Sequence, residues 1–182
     1  MMNKLAFGVL WLAMVGVGMA GTTLLMSSET PTIYAGPALL QPVDLSFHAG
    51  SNDTKLLRDG WHAPSRDCTW SSGRASVRLN EIGSGPQGIQ IVISADGLIG
   101  DRRPQQSVDV LVNGSKLTTL TWAKGQSRRD VASEIPSRLI GARGDIELTF
   151  VDRDPKSIRD MGLGDGTAPH AICLAKLYLS PQ

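Results

Sequence analysis

The chain has 182 residues, of which 41% are hydrophobic and 19% are charged. Its 18 lysines and arginines nearly balance its 17 aspartates and glutamates, and the formal net charge is +1. This balance argues against nucleic acid or anionic lipid as the main partner, because such partners select strongly basic surfaces. The part beyond Met26, about 155 residues, suits one domain with a hydrophobic core and leaves no room for a second.

The first element is an apolar run from Leu5 to Met26 that carries no charged side chain and follows Lys4. A membrane-spanning helix needs about 20 apolar residues, and the positive-inside tendency keeps Lys4 in the cytoplasm and sends the rest across the membrane. The segment is either a secretory signal peptide, cleaved after Ala20, or an uncleaved anchor. Apolar regions of signal peptides usually end within about 15 residues, so the continuation to Met26 modestly favours the anchor.

Three segments are therefore predicted. Residues 1–26 are a signal peptide or membrane anchor in one N-terminal hydrophobic helix, and residues 27–41, rich in serine, threonine and proline, are a tether. Residues 42–182 are the exported domain. The predicted location is the periplasm or the extracytoplasmic face of the inner membrane, with the N-terminal helix as the attachment to the membrane.

Beyond the tether, apolar residues alternate with polar ones, which is typical of strands in a sheet that is wet on one face. The pattern predicts strands over residues 74–81, 89–93, 108–112, 116–123 and 146–150. The Asn113-Gly114 pair favours a two-residue type I′ hairpin, because both residue types tolerate positive φ. The segment from His170 to Ser180 is apolar on both faces, which indicates a central strand.

Helical signals are sparse in the exported domain. Single turns are predicted at residues 136–140 and 157–161, where Gly141 and Gly162 stop them. About seven to nine short strands without a long helix predict an all-β fold, a two-sheet antiparallel β-sandwich of jelly-roll or immunoglobulin-like topology. Periodicity alone does not choose between these two topologies.

Cys68 and Cys173 are the only cysteines in the chain. Export places them in an oxidising compartment, which slightly favours a disulfide over two buried free thiols. Such a bridge closes a loop of about 105 residues, which the chain-entropy treatment values at roughly 4–5 kcal/mol.

No catalytic motif marks this chain as an enzyme. His48, His62 and His170 lack the short spacings of a zinc site, and the serines lack the glycine pattern of a nucleophile elbow. Nothing marks the facing pair of carboxylates that a glycosidase needs. The prediction is a protein that is not an enzyme, with no catalytic residue and no metal ligand.

Four aspartates lie between residues 150 and 170: Asp152, Asp154, Asp160 and Asp165. Their oxygens are the ligands that calcium prefers. Arg153, Lys156 and Arg159 interleave with them, so a solvated loop of compensating charges is the preferred interpretation. The prediction is therefore no cofactor, with calcium as the alternative.

The tryptophans either fill the core or offer an exposed ring to a sugar. Trp70 begins an alternating segment, and Trp122 shares its parity with Leu120, so both are predicted in the core. Trp61 is left open between the two roles.

The same segments carry a resemblance to a protein family. In order they are Gly60-Trp61, Trp70-Ser71 with Gly73, residues 110–114, Ile135-Pro136, Gly162 and Asp165. Over about residues 45–180 this order resembles a bacterial jelly-roll domain of the galactose-binding type, which is found appended to membrane glycosyltransferases and in small exported envelope-polysaccharide proteins. Two positions depart from the resemblance. The acid after the first Gly-Trp motif is replaced near Ser65, and the arginine after the late aspartate is absent near Thr167 and Pro169.

The resemblance implies a glycan-binding or accessory module in surface or exopolysaccharide assembly. Its candidate ligand-binding residues are Trp61, His62 and Asp165. The expected partner is a glycan or a membrane-embedded envelope protein, and no nucleic acid. The alternative is a structural subunit that docks on a membrane glycosyltransferase or envelope complex without binding sugar, because a fold by itself does not establish a ligand.

Overall fold

The structure is a computed structural model that describes residues 41–83 and 88–182. The predicted signal peptide or anchor (1–26) and all but the last residue of the predicted tether (27–41) lie outside the described residues. No helix within the described ranges has the length and apolar character needed to cross a membrane.

The described residues form short strands joined by loops and two 3-10 helices. The strands are β1 (Val43–Ser46), β2 (Thr69–Trp70), β3 (Arg74–Leu79), β4 (Ile89–Gly97), β5 (Gln105–Val112), β6 (Ser115–Ala123), β7 (Arg129–Ile135), β8 (Ile146–Asp152), β9 (Lys156–Ser157), β10 (Pro169–His170) and β11 (Ile172–Pro181). The 3-10 helices cover Asn52–Leu56 and Ser137–Leu139. The all-β prediction is confirmed for the domain.

Two antiparallel sheets face each other. Sheet A has the order β1-β11-β4-β7, with the short β2 added on β11, and sheet B has the order β3-β8-β5-β6. Among the longer strands the first pairs with the last (β1 with β11), and β3 with β8, β4 with β7 and β5 with β6 are nested inside that pair. This nested pairing is the jelly-roll topology, so that prediction is confirmed over the immunoglobulin-like alternative.

The core lies between the two sheets. Its fully buried side chains come from alternate positions of the strands: Ile89, Ile91, Ile93, Leu177 and Leu179 of sheet A, and Val77, Val108, Val110, Val112, Ile146 and Leu148 of sheet B. Residues two apart share one face of a strand, which is why the alternation in the sequence predicts these positions. Trp122 is 2% exposed and belongs to this core, as predicted.

The predicted β5–β6 hairpin is present, and its turn is tied to the rest of the domain. Asn113 and Gly114 have φ of 47° and 84°, as a type I′ turn requires. The Asn113 side-chain amide donates to the Leu139 carbonyl at 2.8 Å, and its oxygen accepts from the Glu147 backbone N–H at 2.8 Å. These bonds hold the hairpin end of sheet B.

Strand β11 has β1 on one side and β4 on the other, which confirms the prediction of a central strand. The predicted disulfide is also present, because Cys68 and Cys173 are bonded with their Cα atoms 5.4 Å apart. Strand β7 has no counterpart among the predicted strands. Only Ile135 of its residues is fully buried, so its apolar alternation is weak.

Candidate functional site

The outer face of sheet B carries a continuous groove. Three depressions of about 500, 290 and 270 Å³ lie along it, and neighbouring depressions share lining residues. We call this the sheet B groove, and its lining includes Asp59, Arg74, Ser76, Arg103, Gln105, Ser107, Asp109, Lys116, Thr119, Glu147, Thr149, Val151, Asp152, Arg153 and Asp154. Most of these residues belong to β3, β5, β6 and β8. The pleat turns those at outward positions toward one surface, whereas Asp152 has the inward parity of β8 and reaches the groove at its end, beside Arg103.

Asp109 lies at the centre of the groove and is surrounded by donors. Its carboxylate is 2.7 Å from Lys116 Nζ and 3.3 Å from Arg153 Nη2, and it accepts a 2.8 Å bond from Thr119 Oγ1. The sheet register creates this cluster, because Asp109 pairs directly with Thr119 of β6 and with Val151 of β8. The bond from Lys116, followed by that from Thr119, lowers the pKa of Asp109, so this carboxyl stays ionised.

A buried polar network closes one end of the groove. Arg103 Nη2 donates to both oxygens of Asp152, at 3.0 and 2.8 Å, and Arg103 is only 7% exposed. The Gln106 side-chain amide donates to Asp152 Oδ2 at 2.8 Å and to the Ala171 carbonyl at 2.9 Å. The network therefore links sheet B to the chain entering β11 and compensates the buried charge.

The network is closely packed, and two buried donors in and beside it lack hydrogen-bond partners among the described residues. A Cβ at Gly97 would lie 2.7 Å from Gln106 Oε1 and 2.8 Å from the Trp122 ring, so no other residue fits there without displacing one of them. Arg103 Nη1 and Trp122 Nε1 are buried and have no hydrogen-bond partner among the described residues. A donor in this situation is unfavourable until an oxygen acceptor reaches it.

Two carboxyl groups of the groove, those of Asp109 and Asp154, are arranged for charge compensation rather than for acid catalysis. The bond from Lys116 is the main cause of the lowered pKa of Asp109, and the bond from Lys156 is the main cause of the lowered pKa of Asp154. A glycosidase acid needs the opposite direction, a raised pKa that keeps its proton available. Asp109 and Asp154 are therefore unsuited to protonating a leaving group.

Three of the four aspartates of the calcium alternative are engaged by donors of the protein. Asp152 binds Arg103, Asp154 binds Lys156, and Asp160 accepts bonds from the backbone and hydroxyl of Ser157. Asp165 lies exposed in the loop between β9 and β10. Within the described part of the chain, no group of three or more histidine, cysteine, aspartate or glutamate residues is placed to hold a metal ion.

Trp61 lies against the core rather than standing free. Its indole Nε1 donates to the Ser76 carbonyl at 2.7 Å, and its ring meets the edge of Phe150 at a centroid distance of 6.0 Å. The preceding Gly60 has φ of 81°, and a side chain there would overlap the Arg74 carbonyl. The Gly-Trp pair thus anchors the loop before β2 on strand β3.

His62 lies beside His170 and Trp70 at the disulfide edge of the sandwich. Its ring stacks on His170 at 4.5 Å, and His170 meets Trp70 edge to face at 5.6 Å. Burial is the main cause of the lowered pKa of His170, and the neighbouring His62 adds to that effect. No hydrogen bond or ion pair between described residues joins Asp165 to Trp61 or His62.

The central residues of the sheet B groove are absent from the predicted ligand-binding set. Alternation in the sequence places Arg74 and Asp109 on the outward faces of their own strands. It does not show that β3 and β5 both flank β8, and that strand order is what gathers Arg74, Asp109 and Arg153.

No protein-family model matches the chain, and no curated protein matches it. Among solved structures, a Podospora anserina β-(1,4)-mannanase with a family 35 carbohydrate-binding module has a TM-score of 0.43 and 12% identity, over 78% of this chain and 28% of that chain. A family 35 carbohydrate-binding module from Clostridium thermocellum has a TM-score of 0.43 and 10% identity, over 78% of this chain and 98% of that chain. A family 36 module in complex with calcium and xylotriose has a TM-score of 0.41 and 9% identity, over 78% of this chain and 100% of that module.

The chain therefore corresponds to well under a third of the mannanase. Identities and TM-scores at this level assign no ligand to this chain.

Proposed function

We propose that this protein is an exported, non-catalytic module that binds a glycan along the sheet B groove and serves surface-polysaccharide assembly. The observation that carries the proposal is the continuous groove across the four strands of sheet B, lined by polar side chains. An extended sugar chain presents hydroxyl groups along its length, and an open groove accepts such a chain where a closed cavity does not.

The lining supplies the hydrogen-bonding groups that sugar hydroxyls need. Gln105, Ser107 and Thr119 line the largest depression beside the Asp109 carboxylate. Bonds between hydroxyls and an ionised carboxylate or guanidinium are stronger than bonds between neutral groups. The groove therefore offers both charged and neutral partners to a polyhydroxylated ligand.

The lowered pKa values of two groove acids support the proposal that this protein is not an enzyme. Asp109 and Asp154 are held by lysine and arginine side chains, and the pKa of each is lowered. The same groups suit binding, because they present fixed charges to a ligand. No step of bond breaking is assigned to them.

The proposed location is the periplasm or the extracytoplasmic face of the inner membrane, with residues 1–26 as a cleaved signal or a retained anchor. The Cys68–Cys173 disulfide supports export, because structural disulfides persist in oxidising compartments. A tether over residues 27–41 would keep the groove near membrane-bound machinery for glycan assembly.

The alternative function, docking on a membrane glycosyltransferase, has less support. Leu163 and Tyr178 are the large hydrophobic side chains that the described residues expose, one on a loop and the other on β11. Docking faces usually present a contiguous apolar patch rather than single side chains. The sheet B groove offers hydrogen-bonding and charged side chains along its length and suits a glycan better.

Glycan-array screening of the full chain in detergent, followed by calorimetric titration of the ligands found, tests the proposal. The matched variants are Ser107→Ile, which narrows the sheet B groove, and Ser94→Ile on β4 of sheet A, away from the groove lining. We expect Ser107→Ile to weaken binding about tenfold and Ser94→Ile to leave it unchanged. Absence of binding to any glycan, or equal losses in both variants, would contradict the proposal.

The loop residues predicted from the resemblance are tested alongside. The double variant His62→Ala with Asp165→Asn removes polar groups of the candidate set and leaves Trp61 in its structural role. If this variant abolishes binding while Ser107→Ile retains it, the glycan site lies at the loops and not in the sheet B groove.

A further inference from the structure

The centre of the sheet B groove has an excess of positive charge. Arg74, Asp109, Lys116 and Arg153 line one depression of about 290 Å³, so three cations accompany one acid. Asp109 contacts both Lys116 and Arg153, at 2.7 and 3.3 Å, and its single negative charge is therefore shared between them. The centre attracts anions even when its internal ion pairs are formed.

Arg74 adds a free guanidinium to this centre. It begins strand β3 on the outer face and is exposed. No hydrogen bond or ion pair with another described residue engages its side chain. A guanidinium has five donors in a planar fork, which matches the two oxygens of a carboxylate.

In the depression of about 270 Å³, which shares Arg74 with the centre of the groove, acids outnumber cations. Asp59 and Glu147 line the depression there, with Arg74 as its one cation. A densely charged polyanion such as nucleic acid would meet repulsion from these two acids. An isolated carboxylate between neutral groups would not, so the pattern favours a ligand whose negative charges are spaced along a chain.

The other end of the groove contains a donor that has no partner. Arg103 lines the depression of about 500 Å³, and its Nη1 is buried without a hydrogen-bond partner among the described residues. Its other terminal nitrogen, Nη2, binds Asp152. Because this nitrogen is buried, a ligand on the groove surface does not reach it, and it is not counted among the groups that bind the carboxylate.

The groove lacks the ring faces that usually contact neutral sugars. Its three depressions are lined by no tryptophan, tyrosine, phenylalanine or histidine of the described residues, and the Trp122 ring that lines an adjoining depression of about 330 Å³ is only 2% exposed. Binding along this surface must then come from hydrogen bonds and charge rather than from aromatic contact. Together with the excess of cations at the centre, this favours glycans that carry charge.

We infer that the sheet B groove is selective for glycans whose carboxylates are separated by neutral sugars, such as polymers that contain scattered uronic acids, with a carboxylate bound among Arg74, Lys116 and Arg153. This inference rests on the proposed function and specifies its ligand class. The carboxylate binds the Arg74 fork and the two cations that share Asp109, and neighbouring hydroxyls reach the Ser107 and Thr119 side of the groove.

The decisive probe is a pair of ligands that differ only in charge. Partly methyl-esterified oligogalacturonate, in which free carboxylates are separated by neutral residues, and its fully methyl-esterified form have the same backbone, and each is titrated into the full chain by calorimetry, with an oligosaccharide of alternating uronic acid and neutral sugar as a second acidic ligand. We expect the acidic forms to bind at least about tenfold more tightly than the esterified form at low salt. The preference should shrink as salt is raised to about 0.5 M, because exposed charges are screened.

Two matched arginine variants test whether binding of acidic ligands depends on Arg74. Arg74→Gln removes the free guanidinium from the groove, whereas Arg66→Gln removes a guanidinium that is 93% exposed on the loop before β2. We expect Arg74→Gln to weaken binding of acidic oligosaccharides about tenfold and Arg66→Gln to leave it unchanged. Unfolding midpoints of both variants should equal that of the parent chain, which shows that folding is retained.

The outcomes separate this inference from the function on which it rests. Equal affinity for acidic and esterified ligands, or binding of neutral glycans alone, overturns the inference and leaves glycan binding standing. Equal losses in Arg74→Gln and Arg66→Gln also overturn it, because they indicate attraction by overall charge. If no glycan of any class binds, the proposed function itself fails.

Discussion

The two faces of sheet B are built from the same strands but require different residue types. The inner face is a row of fully buried side chains such as Val77, Val110 and Leu148, which need only apolar character and suitable volume. The outer face depends on particular residue types, because Asp109 and Arg153 meet through the register of β5 and β8. One face supplies stability, and the other supplies a surface with defined charges.

Asp152 is an exception to this division between an apolar inner face and a charged outer face. It has the inward parity of Leu148 and Phe150, yet it is charged and only 6% exposed. Arg103 and Gln106 compensate it from the loop before β5 and from β5 itself. The inner face can therefore hold a charge only where the surrounding chain provides matched donors.

The largest expected effect is that of Phe150→Ala on the inner face. Phe150 is 1% exposed and contacts Trp61, so the substitution leaves a cavity and removes an aromatic contact. We expect the free energy of unfolding, measured by urea denaturation, to fall by about 3–5 kcal/mol. Val151→Ala, one residue along on the outer face, should cost less than about 1 kcal/mol. Similar losses in the two variants would show that the faces do not differ as described.

A somewhat smaller loss is expected for Asp152→Asn, which leaves Arg103 buried without its counter-charge. Removing one partner of a buried ion pair costs about 3 kcal/mol or more, and the same denaturation measurement reports it. Asp154→Asn is the control, because Asp154 is largely exposed and its Lys156 partner reaches solvent. If Asp152→Asn is as stable as the parent chain, the network is not a structural requirement at the end of the groove.

The smallest effect is expected for Asp109→Asn on the outer face, and it concerns binding rather than stability. Removing this acid frees Lys116 and Arg153, so affinity for an acidic oligosaccharide should rise about threefold in calorimetry at low salt. Asp67→Asn, in the exposed ion pair with Arg66, should change nothing. A loss of affinity in Asp109→Asn would mean that Asp109 accepts bonds from sugar hydroxyls, which would weaken the assignment of the centre as a carboxylate site.

Much of the fold could be predicted from local patterns. Alternation identified β3, β4, β5, β6, β8 and the central β11, because a strand shows its buried face within a few residues. The Asn113-Gly114 turn was predictable for the same reason, since its φ values depend on two adjacent residues. The disulfide followed from cysteine count and export.

The candidate site was not predictable in this way, because its residues are close only after the sheets form. Arg103 and Asp152 are 49 residues apart in the chain, and no local pattern marks them as a pair. Trp61 illustrates the reverse case. Its sequence context left both a sugar-stacking and a core role open, and the structure places its indole on the Ser76 carbonyl and its ring against Phe150.

The near-neutral charge, the all-β class, the inner faces of the predicted strands and the pair of cysteines that can bond all follow from the sequence alone. These properties depend on composition or on neighbours within a few residues of one another. The assembly of β3, β5 and β6 with β8, which brings Arg74, Asp109, Lys116 and Arg153 into one groove, is seen only in the folded domain. Strand order and register set which distant side chains meet, and period-two alternation contains no information about either.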